Sequence, residues 1–287
     1  MLTEQNLRGV FVPVVTPFDR RGKLDVGSYI DLVQRLVGQG ISGLVVGGTT
    51  GESPTIHTKE LEMLIVTARK EIGSLPLIVG TGSNSTAATA DRTAWAKSLG
   101  ADAALVVTPY YNKPSQRGII EHFQQISTAG LPVIVYDIPH RTGVSLDIKT
   151  VTAIMKMKHV IGLKESTGNI TRYFQLARSI AKPVLCGEDE LFFASLCCGG
   201  KGGILASANL DTSQFVQVYQ SYQVGKIEES GRVFDQLLPL IQFLFSEPNP
   251  APLKWLLAER GHIRSDSLRL PLTNISSEGE KIGAELR

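Results

Sequence analysis

The sequence predicts an α/β protein, a closed (β/α)₈ (TIM) barrel followed by a C-terminal helical region. Short apolar runs rich in Val and Ile alternate with longer segments of helical period, which is typical of parallel βα units. Eight such units can be counted in the first 224 of the 287 residues. This fits a barrel of the usual length of about 250 residues. An open, doubly wound sheet is the alternative.

The eight predicted strands are near-continuous apolar runs, as expected for parallel strands that are covered on both faces. They are Val10–Val15, Gly43–Val46, Leu77–Gly80, Ala103–Val107, Val133–Tyr136, Val160–Lys164, Val184–Gly187 and Gly203–Ala206. Each is bounded by turn-forming or helix-forming sequence. The runs therefore define the order of the barrel strands along the chain.

Segments of helical period lie between these strands. In the first, apolar residues within Val26–Val37 recur on one face, and Asp25 and Gly40 can cap its two ends. Thr58 and Ser85 are predicted to cap the second and third helices.

The residues after the eighth unit also have a helical pattern. Ile227–Phe245 and Leu253–Arg260 are predicted helices, separated by the proline-rich segment Pro248–Pro252. The polar segment Ser276–Arg287 either frays or forms a last short helix. We therefore expect residues 1–224 to form the barrel that carries the active site and residues 225–287 to form the helical region.

Composition excludes several classes of function. The net charge is +2 with 43% hydrophobic and 20% charged residues, and no basic run indicates a nucleic-acid partner. The N-terminus lacks the pattern of a signal peptide, and no stretch of about 18 apolar residues predicts a membrane span. Cys186, Cys197 and Cys198 make a poor disulfide framework, so we expect a reducing, cytoplasmic location.

Lys164 is the most informative residue in the chain. It ends the apolar run Val160–Leu163 and precedes the polar turn Glu165–Gly168. Burial disfavours the charged form of an amine, and a neutral amine is the nucleophile that forms a Schiff base. A strand-end lysine that extends to solvent is the structural alternative.

Other polar residues follow neighbouring strands. Gly47–Ser53 follows the second strand, Thr108–Asn112 the fourth, and Tyr136–Gly143 extends from the end of the fifth. Each could be a tight turn, a packed loop or a surface ion pair, but all lie at the C-terminal end of the barrel, where barrel enzymes carry their chemistry. An amine, hydroxyls, backbone amides and an arginine together indicate a site for a 2-oxo acid.

Metal and cofactor motifs are weak. Gly80–Ser83 lacks the third glycine of a dinucleotide loop, and the five histidines have no zinc-site spacing. Carboxylates at the predicted barrel mouth leave Mg²⁺ as a minor alternative, with Glu52, Asp137, Glu165, Glu188 and Asp189 as its candidate ligands. We expect no metal and no cofactor.

Four segments resemble the dihydrodipicolinate synthase and N-acetylneuraminate lyase family of class I pyruvate aldolases. They are Gly48–Ser53, Thr108–Gln116, Ile161–Asn169 and Glu247–Pro250. The similarity extends over nearly the whole chain, from Val14 to Pro271. The resemblance implies a barrel assembled as a homotetramer of two tight dimers.

The resemblance also implies roles for individual residues. It assigns catalysis to Lys164, Tyr136, Thr49 and Tyr111, and substrate contacts to Thr50, Arg141, Gly187 and Ile204. Lys164 would form a Schiff base with pyruvate, and Tyr111 would reach the site of the partner subunit. The implied reaction condenses pyruvate with L-aspartate 4-semialdehyde to give 4-hydroxy-tetrahydrodipicolinate for lysine and diaminopimelate biosynthesis.

Two departures from the family pattern bear on specificity. Asp137 and His140 stand where the synthases commonly have Asn and Ser. They keep open a sister aldolase that cleaves N-acetylneuraminate or a 2-oxo-3-deoxy sugar acid; a catalytically silent pyruvate-binding relative is a third alternative.

The third departure concerns regulation. The family's inhibitory lysine site uses histidines and a glutamate, and this chain has Thr58, Leu61 and Ala88 at the matching positions, while Asn84 and Tyr110 are retained. We therefore predict weak or absent feedback inhibition by lysine.

Overall fold

The computed structural model describes residues 1–286 and shows a closed barrel in which the strands follow one another in chain order, all parallel. The strands are β1 Gly9–Pro13, β2 Gly43–Val46, β3 Leu77–Gly80, β4 Ala103–Val107, β5 Val133–Asp137, β6 Val160–Glu165, β7 Val184–Cys186 and β8 Gly202–Ile204. The predicted barrel is therefore confirmed, and the open sheet is excluded. The largest differences in bounds are in β1 and β8, each of which begins one residue and ends two residues earlier than predicted.

The early end of β8 has a local cause. Asp189 accepts hydrogen bonds from the backbone amides of Ala206 and Ser207, at 3.3 and 2.6 Å. These amides therefore face a carboxylate instead of a neighbouring strand. The apolar run alone gave no sign of this contact.

Helices surround the barrel and continue beyond it. They are α1 Val26–Gly38, α2 Thr58–Glu71, α3 Thr86–Ser98, α4 Gln116–Ile126, α5 Pro139–Thr142, α6 Ile148–Met155, α7 Ile170–Ser179, α8 Phe192–Cys197, α9 Thr212–Gln223, α10 Ile227–Leu244, α11 Ala251–Glu259 and α12 Ser277–Gly283. The predicted C-terminal helices and the break at the prolines are confirmed. Arg287, the last residue of the predicted final segment, lies outside the described residues. No helix in residues 1–286 is both long and apolar enough to cross a membrane.

The capping predictions are confirmed at two helices and wrong at one. Asp25 and Ser85 accept hydrogen bonds from the first turns of α1 and α3. Thr58 is not a cap but the first residue of α2, and His57 is the N-cap. The His57 backbone amide donates to Glu60 Oε2 at 3.0 Å, so the helix begins one residue earlier than predicted.

The apolar core has two parts. A large cluster fills the space between strands and helices, and a smaller one fills the barrel interior, where Phe11, Ile78, Ile134 and Tyr136 lie together. Because side chains alternate along a strand, Ile134 and Tyr136 point inward and Val133 and Val135 point to the helices. Tyr136 therefore marks the top of the interior, where the mouth begins.

Candidate active site

Lys164 and Tyr136 form the centre of the mouth. They are register partners on β6 and β5, and Lys164 Nζ lies 4.1 Å from the centroid of the Tyr136 ring. The exposed fractions of the two residues are 7% and 6%. The sequence prediction that Lys164 is buried is confirmed, and the solvent-facing alternative is wrong.

The surroundings of Lys164 differ from those of the other buried lysine. Lys254 is completely buried, and its amine donates to Glu52 Oε1 at 2.7 Å and to the carbonyl oxygens of Thr16 and Ser267. Lys164 Nζ has no hydrogen bond or ion pair with any of residues 1–286. A buried amine is normally partnered because desolvation is costly. The amine of Lys164 is therefore available to a ligand.

The loop after β2 brings two hydroxyls to the same cavity. Thr49 and Thr50 line it together with Lys164 and Tyr136, and Thr50 is buried. Asn249 Nδ2 donates to Thr50 Oγ1 at 3.2 Å, which leaves the hydroxyl hydrogen of Thr50 free to donate to a carboxylate. Asn249, from the segment before α11, thus orients Thr50.

Gly187 and Ile204 also line the cavity, after β7 and at the end of β8. A Cβ atom at Gly187 would approach Lys164 Cε to 2.6 Å and Ser166 Oγ to 1.9 Å. Only glycine therefore leaves room for the Lys164 side chain in this position.

Arg141 and His140 lie on the short helix α5, and both line the cavity from its exposed rim. Burial lowers the pKa of His140, and the nearby cations of Arg141 and Lys164 lower it further. A neutral imidazole and a guanidinium therefore face an entering substrate, and the guanidinium can bind a carboxylate through two hydrogen bonds.

Asp137 does not line the cavity. The prediction that it contributes polar contacts to the substrate is therefore wrong. Its carboxylate is fully buried on the outer side of β5, where Arg172 of α7 donates to it at 2.8 Å. The alternation of side chains requires this, because Tyr136 points inward. Burial raises the pKa of Asp137 to about 6, and Arg172 opposes this shift. One of the two residues that favoured a sugar-acid substrate therefore lies outside the site.

Tyr111 is the one predicted site residue that lies away from the cavity of its own chain. It is 87% exposed and has a φ of 71°, in the left-handed region that a tyrosine seldom adopts. Lys164, Tyr136, Thr49, Thr50, Arg141, Gly187 and Ile204 all line one cavity. Tyr111 instead extends from the loop between β4 and α4 towards solvent.

Four of the five carboxylates considered as Mg²⁺ ligands have other partners. Glu52 pairs with Lys254, both Asp137 and Glu165 pair with Arg172, and Asp189 accepts two backbone amides. Within the described residues, no group of three His, Cys, Asp or Glu side chains is arranged to hold a metal ion.

Sequence reasoning missed two residues of this site. The contact of Asn249 with Thr50 joins residues 199 positions apart, and only the segment Glu247–Pro250 indicated that this region matters. Glu188 lines the cavity after β7 but was considered only as a metal ligand. Its position at the C-terminal end of a strand was the available signal.

A closed parallel barrel with polar side chains and a buried, unpartnered lysine at its mouth is typical of barrel enzymes. Residues 6–285 match the model of the Dihydrodipicolinate synthetase family, and the chain belongs to this family. It is 38% identical over 284 residues to the 4-hydroxy-tetrahydrodipicolinate synthase of Escherichia coli, with 97% of each chain covered.

Solved structures agree with this assignment. The dihydrodipicolinate synthase of Thermotoga maritima has a TM-score of 0.95 at 38% identity, with 97% of each chain covered. The chloride-inhibited enzyme of Acinetobacter baumannii, solved with pyruvate, has a TM-score of 0.95 at 35% identity, with 98% of each chain covered. The fold predicted from the resemblance is confirmed.

Proposed function

We propose that this chain is a 4-hydroxy-tetrahydrodipicolinate synthase, which condenses pyruvate with L-aspartate 4-semialdehyde in lysine and diaminopimelate biosynthesis. The observation that carries the proposal is the Lys164 amine, which is buried against Tyr136 and has no partner of its own. The family membership and the names of the relatives support the same reaction.

The first half of the reaction makes a nucleophile from pyruvate. Lys164 Nζ adds to the ketone carbon, the ketone oxygen leaves as water, and an iminium forms. Thr50 and the amides of its loop hold the pyruvate carboxylate. A methyl proton then passes to the relay of Tyr136 and Thr49, which gives the enamine. The same hydroxyls carry protons between the ketone oxygen and solvent.

The second half joins the two substrates. Arg141 binds the carboxylate of L-aspartate 4-semialdehyde at the rim, and the enamine carbon attacks the aldehyde carbon while the aldehyde oxygen gains a proton. The amine of the substrate then attacks the iminium carbon, and the Lys164 amine leaves as the ring closes. No cofactor or metal enters these steps.

Arg141→Ala tests the position of the second substrate. We expect the KM for L-aspartate 4-semialdehyde to rise by about 10- to 100-fold, because one charge-assisted pair contributes about 1.5–3 kcal/mol. Borohydride trapping of pyruvate on Lys164 should be unchanged, since Arg141 acts after imine formation. Steady-state kinetics with each substrate varied in turn measures both effects. An equal loss of affinity for both substrates would contradict the assignment.

We infer that the active unit is a dimer within a homotetramer, in which the partner subunit's Tyr111 completes the proton relay. The exposure and left-handed φ of Tyr111 support this, because an isolated chain gives that side chain no packing role.

Complementation between two inactive variants tests the shared site. Tyr111→Phe is expected to lower kcat by about 10²-fold, as for loss of a proton-transfer group. Dimers that combine one Tyr111→Phe chain with one Lys164→Ala chain contain one intact site and should regain roughly half of the wild-type rate. Differently tagged, co-expressed chains allow these dimers to be purified. Heterodimers as inactive as the parents would exclude sharing.

Regulation by lysine is expected to be weak. Thr58 and Leu61 of α2 and Ala88 of α3 line a groove beside Tyr110, and none of the three carries a charge to bind an amino acid. Added L-lysine should therefore leave the rate unchanged in a steady-state assay. Inhibition at sub-millimolar L-lysine would contradict this prediction.

We also propose that the protein is cytoplasmic. All three cysteines are free thiols, which fits a reducing compartment.

A further inference from the structure

Glu188 is a carboxylate in the active-site cavity that the reaction described above does not use. It follows β7 and lines the cavity together with Lys164 and Arg141. Its side chain is half-buried and makes no hydrogen bond or ion pair within residues 1–286.

Its neighbour Asp189 also lines the cavity but is not available to a ligand. Asp189 is buried, and its two oxygens accept the backbone amides of Ala206 and Ser207. Glu188 is therefore the cavity carboxylate, among the described residues, that can accept hydrogen bonds from a substrate.

The charges of the second substrate explain where such a carboxylate is needed. L-aspartate 4-semialdehyde carries an aldehyde, a carboxylate and an ammonium group, whereas pyruvate has no cationic group. Arg141 provides the cation for the carboxylate at the same cavity. Glu188 adds a negative charge close to the cations of Arg141 and Lys164. The cavity therefore matches an amino acid, which carries both charges, rather than a simple acid.

We infer that Glu188 binds the ammonium group of L-aspartate 4-semialdehyde and accepts one of its protons to begin ring closure; the inference rests on the proposed function. An ammonium group has no lone pair and cannot attack the iminium carbon. The proton acceptor must therefore contact this nitrogen. Both Glu188 and the neutral imidazole of His140 line the cavity, but only the carboxylate also pairs with the positive charge of the ammonium group.

Ring closure moves two protons in succession. One N–H bond of the ammonium breaks, its proton moves to the Glu188 carboxylate, and the electron pair stays on nitrogen. This amine attacks the iminium carbon, and a second proton passes from the attacking nitrogen to Lys164 Nζ. The bond between Nζ and carbon breaks, Lys164 leaves as a neutral amine, and the ring nitrogen becomes the new iminium. Glu188 then returns its proton to solvent.

The electrostatics of the cavity suit this role. Burial raises the pKa of Glu188 to about 7; the neighbouring carboxylate of Asp189 and, more weakly, that of Glu165 also raise it, while the cations of Lys164 and Arg141 lower it. A base whose pKa lies near the working pH is the most effective at general base catalysis.

Glu188→Gln, assayed with two aldehydes, tests the inference. Succinic semialdehyde is L-aspartate 4-semialdehyde without the ammonium group, so its addition to the enamine needs no group at Glu188. We expect kcat/KM for L-aspartate 4-semialdehyde to fall by about 10²-fold. Borohydride trapping of pyruvate, and formation of the succinic semialdehyde adduct measured by mass spectrometry, should stay within about twofold of wild type. Glu190→Gln, at an exposed neighbour that does not line the cavity, is the matched control and should have no effect.

Two outcomes would overturn the inference: an equal loss with both aldehydes, or no loss with L-aspartate 4-semialdehyde. Failure of the proposed function would be distinguished by the wild-type enzyme, which would then not turn over L-aspartate 4-semialdehyde, whether or not it traps pyruvate.

Discussion

Lys164→Ala is expected to abolish pyruvate trapping and to lower turnover by at least about 10³-fold, since removal of a covalent nucleophile leaves only binding and positioning effects. With wild-type protein, pyruvate and borohydride, the chain mass should rise by about 72 Da, as expected when an imine is reduced. Peptide mapping should place the increase on the peptide that contains Lys164. The alanine variant should show no increase.

The matched control for this experiment is Lys201→Ala. Lys201 directly precedes β8, so it lies at the opposite end of the barrel, and it is exposed. This variant should trap pyruvate and turn over like wild type. If the Lys164→Ala variant still trapped pyruvate, or if the label mapped to another lysine, the proposed nucleophile would be wrong.

Lys254→Met is expected to have the largest effect on stability. The Lys254 amine and the Glu52 carboxylate are both fully buried, 2.7 Å apart, and join α11 to the loop after β2. Removing one charge leaves Glu52 buried without its partner, which costs about 3–5 kcal/mol. For a chain of this size, this corresponds to a fall in melting temperature of about 10 °C. Thermal unfolding followed by circular dichroism measures this change.

Two further variants test whether the unpaired buried charge causes this loss of stability. Lys281→Met removes a lysine from an exposed pair with Glu278 and should leave the melting temperature unchanged. The double variant Glu52→Gln with Lys254→Met leaves no buried charge unpaired and should be more stable than Lys254→Met alone. If Lys254→Met unfolded at the wild-type temperature, the buried pair would not hold the helical region on the barrel.

The strands could be predicted because parallel strands covered on both faces must be apolar along their whole length, and this pattern is local. Lys164 could be predicted for the same reason, because a charged side chain directly after an apolar strand is visible within a few residues of sequence. The position of Asp137 could also have been derived, because a residue next to an inward-pointing Tyr136 must point outward.

Contacts between distant residues could not be predicted in this way. Asn249 meets Thr50, and Lys254 meets Glu52, across about 200 residues of chain. No periodicity or capping rule connects such positions, because their contact depends on how the helical region packs on the completed barrel. The lack of a partner for Lys164 is likewise a property of the folded cavity.

The most direct test of the central claim is an assay with pyruvate and L-aspartate 4-semialdehyde, coupled to NADPH consumption by a reductase that uses the product. Cleavage of N-acetylneuraminate and of 2-oxo-3-deoxygluconate is measured in parallel. We predict rapid turnover in the coupled assay and none with either sugar acid. Brisk cleavage of a sugar acid, with no turnover of L-aspartate 4-semialdehyde, would contradict the account and show that the same barrel serves a different aldolase.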